Sequence, residues 1–322
     1  MSACCAARYF LTKPYTHMTR SVRSLAAFFA LALFISSCKK EATTAPASAE
    51  ESVAWHDRQD PTSVTSGLLR LQSDNMALGN PSGAVADVAY YTNYLMNKTQ
   101  YSLSYNRNRA TPNWVSWHLD PSWIGSTARQ DNFSSDASLP STWYHVGSTS
   151  YSGSGFDRGH NCPSADRTYS VADNSATFLM TNMIPQAPTN NQQTWANLEN
   201  YARTLVNAGN EVYIIMGSYG TGGTGSNGTV NSIDAGRITV PNRIWKVLVV
   251  LPQGSSDLSR ITTSTRVIAV NTPNTNSIST SWGSYRTTVD AIESATGYNL
   301  LSAVSSTIQS SIESRVDSGP TS

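Results

Sequence analysis

Residues 156–160 read Phe156-Asp157-Arg158-Gly159-His160, and this stretch decides how the rest of the chain is interpreted. It follows Ser152-Gly153-Ser154-Gly155, a flexible approach that lets backbone come close to a ligand. The imidazole of His160 can accept a proton from water at neutral pH, so His160 is a candidate general base. A single histidine is more often structural than catalytic, and the assignment therefore depends on a second segment.

That second segment runs from Thr181 to Arg203 and contains Asn191 and Glu199. Apolar residues at helical spacing predict a helix over 194–208, namely Trp195, Leu198, Ala202 and Leu205. Glu199 and Arg203 are four positions apart and share one face of this helix. At about 100° per residue, Asn191 lies within roughly 80° of Glu199 if the helix already includes it. A surface Glu–Arg pair is commonplace, so this spacing alone leaves a structural interpretation open.

Further blocks extend the pattern over nearly the whole body: Asn113-Trp114-Val115-Ser116-Trp117, Arg129-Gln130-Asp131-Asn132-Phe133, Pro163-Ser164-Ala165-Asp166-Arg167 and residues 289–298. Together with Asp157-Arg158-Gly159-His160, Asn191, Glu199 and Arg203, they resemble the DNA/RNA non-specific endonuclease family, with its ββα-metal active site and its endonuclease G-like branch. No catalytic position departs from the family pattern. The resemblance implies metal-dependent hydrolysis of phosphodiester bonds in DNA and RNA, with Mg²⁺ as cofactor, Mn²⁺ as a substitute and no obligate protein partner.

The resemblance also assigns roles to single residues. It implies that His160 is the general base that deprotonates the attacking water. It implies that Asn191 is the only protein ligand to a Mg²⁺ ion whose other positions are water and phosphate oxygens, as suits a cation that keeps much of its hydration. Glu199 resembles the carboxylate that orients water near the metal. Asp157 either shares that task or braces its loop.

Arginines are expected to bind the phosphates. Arg129 and Arg203 resemble the arginines that hold the scissile phosphate, because guanidinium forks match phosphate oxygens. Arg158 either contacts a backbone phosphate or packs its own loop, and Arg167 is predicted to help bind the substrate. Since water is the nucleophile, no 2′-hydroxyl is needed, and contacts to phosphates carry little sequence information.

The body of the chain is not a basic protein. The 322 residues carry 22 basic and 21 acidic side chains. The first 37 residues hold four of the basic ones and no acidic one, which leaves 18 against 21, a net charge of −3. A polyanion must therefore be bound through a local cluster or a metal rather than through the overall field.

Residues 1–37 are predicted to form a signal peptide, with Met18 as a cleaner start. Arg20 and Arg23 precede an apolar run of about 11 residues, too short to span a bilayer but suited to a signal peptide. Ile35-Ser36-Ser37-Cys38 resembles the bacterial lipoprotein signal, in which the cysteine is lipidated. Residues 38–64 are predicted to be a flexible tether. We expect export and lipid anchoring to the membrane of the cell envelope, at the outer membrane or cell surface, with secretion as the alternative.

Residues 65–318 are predicted to form one α+β domain, a mixed, mostly antiparallel central sheet with helices packed on it. Strands are expected at 114–119, 176–180, 212–216, 245–251 and 266–270, and later helices at 288–296 and 300–315. Only Cys162 lies in this body, so it cannot form an internal disulfide.

Two features of the sequence allow other interpretations. Gly220-Thr221-Gly222-Gly223-Thr224-Gly225 matches a dinucleotide fingerprint, but strand-like residues rather than a helix follow, so a mobile loop is predicted. A catalytically silent nucleic-acid-binding lipoprotein is the alternative function.

Overall fold

The structure is a computed structural model that describes residues 75–322. The predicted signal peptide, Cys38 and the tether to residue 64 lie outside the described residues. Within residues 75–322, no helix is both long enough and apolar enough to cross a membrane.

The strands of the described region are β1 (Tyr94–Asn97), β2 (Ser102–Asn106), β3 (Thr111–Leu119), β4 (Asp157–His160), β5 (Met183–Gln186), β6 (Asn210–Tyr219), β7 (Gly223–Gly225), β8 (Gly228–Val230), β9 (Ser232–Ile233), β10 (Ile238–Thr239), β11 (Arg243–Pro252), β12 (Arg266–Pro273) and β13 (Arg286–Thr287). The α-helices are α1 (Val171–Ala176), α2 (Ala196–Asn207), α3 (Asp257–Arg260), α4 (Val289–Thr296) and α5 (Ser306–Ile312). A π-helix spans Asn190–Trp195, and 3₁₀ helices span Val88–Tyr90, Pro121–Trp123, Ser164–Asp166, Met180–Asn182 and Trp282–Tyr285.

A seven-stranded sheet forms the centre of the fold, in the order β1-β2-β3-β6-β11-β12-β13. Each neighbouring pair is antiparallel. The strands predicted at 114–119, 212–216, 245–251 and 266–270 are confirmed and form its middle. The α+β class is therefore confirmed, and the sheet is entirely antiparallel rather than mixed.

Each face of the sheet carries its own hydrophobic core. Along β6, Ile214 and Met216 belong to one core and Tyr213 and Ile215 to the other, as the two-residue period of a strand requires. The first core includes Trp195 and other residues of the predicted site helix, and we call this the site face. The second core includes residues of α4 and α5. Both faces are covered, which explains why the central strands are apolar runs instead of alternating patterns.

Large aromatic side chains anchor the site face. Trp117 of β3 is fully buried, and its indole nitrogen donates to Asp166 Oδ2 at 3.0 Å. Burying a side chain of this size removes roughly 200 Å² from water and stabilises the fold by up to about 5 kcal/mol. Because its indole nitrogen is hydrogen-bonded, burial of Trp117 leaves no polar atom of this side chain unpaired.

Two predicted elements are wrong. The strand expected at 176–180 is instead the end of α1 followed by turns, because Ser170 caps that helix by accepting from Asp173 N and Phe178 is drawn into the core. The helix expected at 300–315 is reduced to α5, because Leu300 and Leu301 are buried in a turn. The serine-rich segment between Leu301 and α5 has a weak helix propensity, so the burial of the two leucines decides the local structure.

Candidate active site

A strand–strand–helix unit carries all of the predicted active-site residues except Arg129 and Arg167. β4 pairs antiparallel with β5, which places His160 opposite Met183, and the chain then enters the π-helix and α2. The two strands pack tightly, since a Cβ on Gly159 would lie 2.3 Å from Gln186 Oε1. Only glycine fits at this close approach, so the Gly159 of the motif is explained by strand packing.

The glycine-rich approach to β4 has a different function from the one its sequence suggests. A Cβ on Gly155, which has a φ of +82°, would lie 2.7 Å from the Asn227 backbone nitrogen. A Cβ on Gly225 would lie 2.4 Å from Gly155 O. The predicted mobile loop at 220–225 is wrong in part, because β7 and β8 form a hairpin that packs on this approach. Within this approach, Gly155 is the glycine that makes room for the hairpin.

His160 lies in an aromatic and cationic setting. Its ring makes edge-to-face contacts with Phe178, at 5.0 Å between centroids, and with Phe133, at 5.6 Å. Its Nε2 atom is buried and has no hydrogen-bond partner among the described residues. Burial, followed by the positive charges of Arg129 and Arg158, lowers the pKa of His160 to about 3. The imidazole is therefore neutral at physiological pH, the state in which it can accept a proton.

Asn191 is oriented by a carboxylate. Asp157 Oδ2 accepts from Asn191 Nδ2 at 2.8 Å and from Gln192 Nε2 at 2.9 Å. No donor of the described residues reaches Asn191 Oδ1, so this carbonyl oxygen is available to a cation. Asn191 lies on a π-helix, so the angular offset expected from an uninterrupted α-helix does not apply. Such π segments frequently carry functional residues.

Buried amides hold the π-helix in place. Asn190 Nδ2 donates to Thr272 Oγ1 and to Pro273 O at the end of β12. Asn274 and Asn276, just beyond that strand, accept from the backbone nitrogens of Ala187 and Thr189. These contacts connect the central sheet to the segment that positions Asn191.

The guanidinium groups of Arg129 and Arg158 pack against aromatic rings. The Arg129 guanidinium lies 4.8 Å from the centroid of Phe178, and that of Arg158 lies 3.7 Å from the centroid of Phe133. Arg129 also donates to Asp131 at 2.6 Å. Stacking leaves the edges of a guanidinium open for phosphate oxygens. Of the two options foreseen for Arg158, packing of its own loop is observed, because its Nη1 donates to Ser148 O. The side chain also lines the cleft, and its contact with a backbone phosphate stays a prediction.

These groups line an open cleft of about 430 Å³. Its walls include four of the predicted residues, namely Arg129, Asp157, Arg158 and Asn191. His160 does not line the cleft. It contacts Phe133, which does. Glu199 and Arg203 do not line the cleft. They lie in the first and second turns of α2.

Glu199 has a partner that sequence reasoning missed. Lys246 of β11 is 1% exposed, and its Nζ lies 3.2 Å from Glu199 Oε1. The same ammonium lies 4.9 Å from the ring centroid of Trp195 and 5.3 Å from that of Trp117. Burial raises the pKa of Glu199, and Lys246 and Arg203 oppose that rise. Lys246 therefore favours a charged Glu199 beside the site.

One 3₁₀ turn holds both predicted phosphate arginines. Ser164, at its start, accepts from Arg129 Nη1 at 2.9 Å. Asp166, at its end, accepts from Arg203 Nη1 at 2.6 Å and is 2% exposed. Burial lowers the pKa of Arg203, but Asp166 and Glu199 outweigh it, so the net shift is upward. The turn thus sets the spacing between the two guanidinium groups.

The predicted substrate contact of Arg167 is corrected by its position. Arg167 is fully buried and stacks on Trp123 at 4.0 Å. It donates to the backbone oxygens of Gln100, His118 and its own neighbour Asp166. Each of its three guanidinium nitrogens has a backbone partner and it has no exposed surface, so it braces the turn and does not reach a phosphate in the cleft.

Sequence reasoning also missed Ser164 and Asp166 as supports. The signal was present, since both belong to the block Pro163-Ser164-Ala165-Asp166-Arg167. Only Arg167 of this block is assigned a role from the sequence. Lys246 gave no such signal, because it lies inside an apolar strand run.

A histidine on a pair of antiparallel strands, followed by a helical segment whose asparagine lines the neighbouring cleft, is the arrangement of the ββα-metal class of nucleases. The family model described as DNA/RNA non-specific endonuclease matches residues 79–307. A nuclease of Nostoc sp. is 52% identical over 245 residues, which cover 76% of this chain and 86% of that protein. Human mitochondrial endonuclease G is 30% identical over 166 residues, covering 50% of this chain and 56% of that protein.

A structure search agrees on the fold. The crystal structure of the EndoG/EndoGI complex matches with a TM-score of 0.57 and 21% identity, covering 71% of this chain and 91% of that chain. The chain belongs to the DNA/RNA non-specific endonuclease family. It is accordingly an endonuclease that acts on nucleic acids, and its family depends on a divalent metal ion.

Proposed function

We propose that this chain hydrolyses phosphodiester bonds in DNA and RNA, with His160 as general base and a Mg²⁺ ion held by Asn191. The observation that carries the proposal is the hydrogen bond from Asn191 Nδ2 to Asp157 at 2.8 Å. It turns the amide oxygen away from the carboxylate and leaves it free in the cleft that Arg129 and Arg158 line.

The residues at the cleft fit a hydrated hard cation. A neutral amide oxygen is a suitable ligand for Mg²⁺, which keeps several waters and binds substrate phosphates. Asp157 supplies negative charge beside it and bonds only the Nδ2 atom of Asn191, which leaves Oδ1 without a competing hydrogen bond. When bound, such an ion offsets charge on the phosphate and stabilises the leaving 3′ oxygen.

The charges around His160 make its basicity depend on substrate. Arg129 and Arg158 help to keep the pKa of the imidazole low. A phosphate that binds both guanidinium groups offsets their charge, which raises the pKa of His160 toward the range where a base is effective. The imidazole then takes a proton from water as that water's oxygen bonds to phosphorus. The bond from phosphorus to the 3′ oxygen breaks, and that oxygen is protonated by solvent.

This chemistry predicts broad specificity. The nucleophile is water, so the 2′-hydroxyl of RNA takes no part. The recognised groups are phosphates, and guanidinium contacts to phosphates do not distinguish bases. The open cleft, lined by polar side chains, supports binding of the backbone instead of an enclosed base.

A digestion assay with matched variants tests the proposal. Plasmid DNA and single-stranded RNA are incubated with the purified chain in Mg²⁺ or EDTA, alongside His160→Ala and Asn191→Ala. The controls are His145→Ala, a histidine outside the cleft, and Asn197→Ala, an exposed amide on α2. We expect both substrates to be cut only with metal, at least 100-fold more slowly by the two site variants and normally by the controls.

Two outcomes would contradict the proposal. Full activity of His160→Ala would remove His160 as the base. Binding of labelled DNA in a gel shift without any cleavage in Mg²⁺ or Mn²⁺ would favour the catalytically silent alternative.

We also propose that the chain is exported and anchored to the cell envelope by a lipid on Cys38. The support is the arrangement of Arg20, Arg23, the apolar run and Cys38 in the sequence. Metabolic labelling with radioactive palmitate should mark the wild-type protein but not Cys38→Ala. Equal labelling of both, or none, would contradict the anchor.

A further inference from the structure

Three carboxylates meet on the face of the sheet opposite the cleft. Asp290 and Glu293 lie on α4, and Glu313 directly follows α5. One oxygen from each lies within 4.8 Å of the others. The site helix packs in one core and α4 and α5 pack in the other, so the cluster is separate from the proposed nuclease site and goes beyond the proposed function.

The cluster lacks a positive partner in the described part of the chain. None of the ion pairs between described residues includes any of the three side chains. Glu293 has a single neutral donor, the Leu300 backbone nitrogen at 2.7 Å. Three negative groups this close repel one another, and their charge needs to be offset by a bound cation or by protons.

Glu313 is the most informative member. It is 5% exposed, and its Oε1 atom is buried without a hydrogen-bond partner in the described residues. A buried carboxylate oxygen without a partner is strongly unfavourable. A cation bound to this oxygen would remove that cost.

We propose that Asp290, Glu293 and Glu313 form a calcium site that ties α4 to the chain after α5. All of the side-chain donors are oxygens, which selects a hard cation. Ca²⁺ accepts irregular geometry and sheds water readily, whereas Mg²⁺ demands an octahedron and dehydrates reluctantly. A deeply buried ligand such as Glu313 favours the cation that gives up water. Asp290 is exposed, so solvent can complete the coordination.

The other carboxylate cluster does not share this property. His118, Glu211 and Asp257 also lie within 4.8 Å of one another. Arg260, however, forms ion pairs with both Glu211 and Asp257. A guanidinium already supplies the positive charge there, so that cluster has no need of a metal.

A calcium ion at the proposed site would secure the C-terminal segment. Asp290 N already donates to Glu313 O at 3.2 Å, so the two segments are in contact. Four residues further on, Asp317 pairs with Arg266 at 2.8 Å and with Arg286 at 3.4 Å. Calcium would add a cross-link between this segment and α4, and binding to the folded state alone raises the unfolding temperature.

Calcium titration of an inactive chain tests the site. The full chain carrying Asn191→Ala, which weakens binding in the cleft, is freed of metal with EDTA and dialysed. Ca²⁺ is then added in calorimetry and in thermal unfolding at pH 7.5. We expect one binding event and a rise in the unfolding midpoint of about 5–10 °C at a concentration 100 times Kd. The same concentration of Mg²⁺ should give a smaller rise.

Matched variants decide the outcome. Adding Glu313→Gln to this chain should abolish the shift, whereas adding Asp87→Asn, at an exposed carboxylate that caps another helix, should leave it unchanged. If Glu313→Gln fails to fold by circular dichroism, Asp290→Asn at the exposed ligand replaces it. An equal calcium shift in the site variant and its parent would overturn the proposal. A parent that binds no calcium would overturn it as well. If Glu313→Gln then stabilises the chain at pH 8, protons alone neutralise the cluster.

Discussion

Lowering the pH from 7 to 5 should destabilise the wild-type protein more than a variant with glutamine at position 160. In the folded protein the pKa of His160 is about 3, because the ring is buried and faces Arg129 and Arg158. In the unfolded chain it returns to about 6.5. Between these values the unfolded state binds a proton that the native state does not. Stability is therefore lost as the pH falls below 6.5.

The size of the effect follows from that difference. At pH 5 the unfolded imidazole is about 97% protonated while the native one remains neutral, which costs about 2 kcal/mol relative to pH 7. The result is nearly the same for any native pKa well below 5. The Nε2 atom is buried but the residue as a whole is only half-buried, so we expect the observed loss to be about 1–2 kcal/mol.

Urea denaturation in EDTA, at pH 7 and pH 5, measures this loss in the wild type and in His160→Gln. Other groups titrate in both proteins, so their contributions cancel in the difference. An NMR titration of the His160 ring gives the native pKa directly. Equal losses of stability in the two proteins, or an NMR pKa near 6.5, would refute the argument that burial and the arginines keep this ring neutral.

Other variants test the supporting residues. Lys246→Met removes the charge that opposes the raised pKa of Glu199, so the acid limb of the pH–rate profile should move to higher pH. Lys246→Arg should restore the limb to its original position. An unmoved limb in the methionine variant would argue against this positioning role. Arg167→Met should lower the free energy of unfolding by about 3 kcal/mol or more by chemical denaturation, since several hydrogen bonds of a charged group are lost, without raising KM; a raised KM with unchanged stability would restore the substrate contact. Gly159→Ala should cost about 1–3 kcal/mol through its clash with Gln186, also by chemical denaturation, and a neutral result would mean that β4 and β5 can separate without penalty.

Much of the fold and site could be read from local patterns. Apolar runs such as 245–251 predicted central strands because a strand covered on both faces has few polar positions. The motif ending in His160 and the segment carrying Asn191 predicted a shared site. β4, which carries His160, pairs with β5, and the helical segment carrying Asn191 follows β5 along the chain. The family resemblance added roles that residue types alone left open.

Only the tertiary structure decided how these residues are supported. Lys246 reaches Glu199 across 47 positions of sequence, and Asp166 reaches Arg203 across 37. Arg167 looked like a phosphate ligand because arginine chemistry suits phosphate, yet it is buried and each of its three guanidinium nitrogens donates to a backbone oxygen. Sequence determines which chemical groups are available, since each is encoded by its own residue. Contacts between distant segments depend on how the sheet and helices pack, and packing alone determines which charges are buried, which are paired and which remain free to meet a substrate.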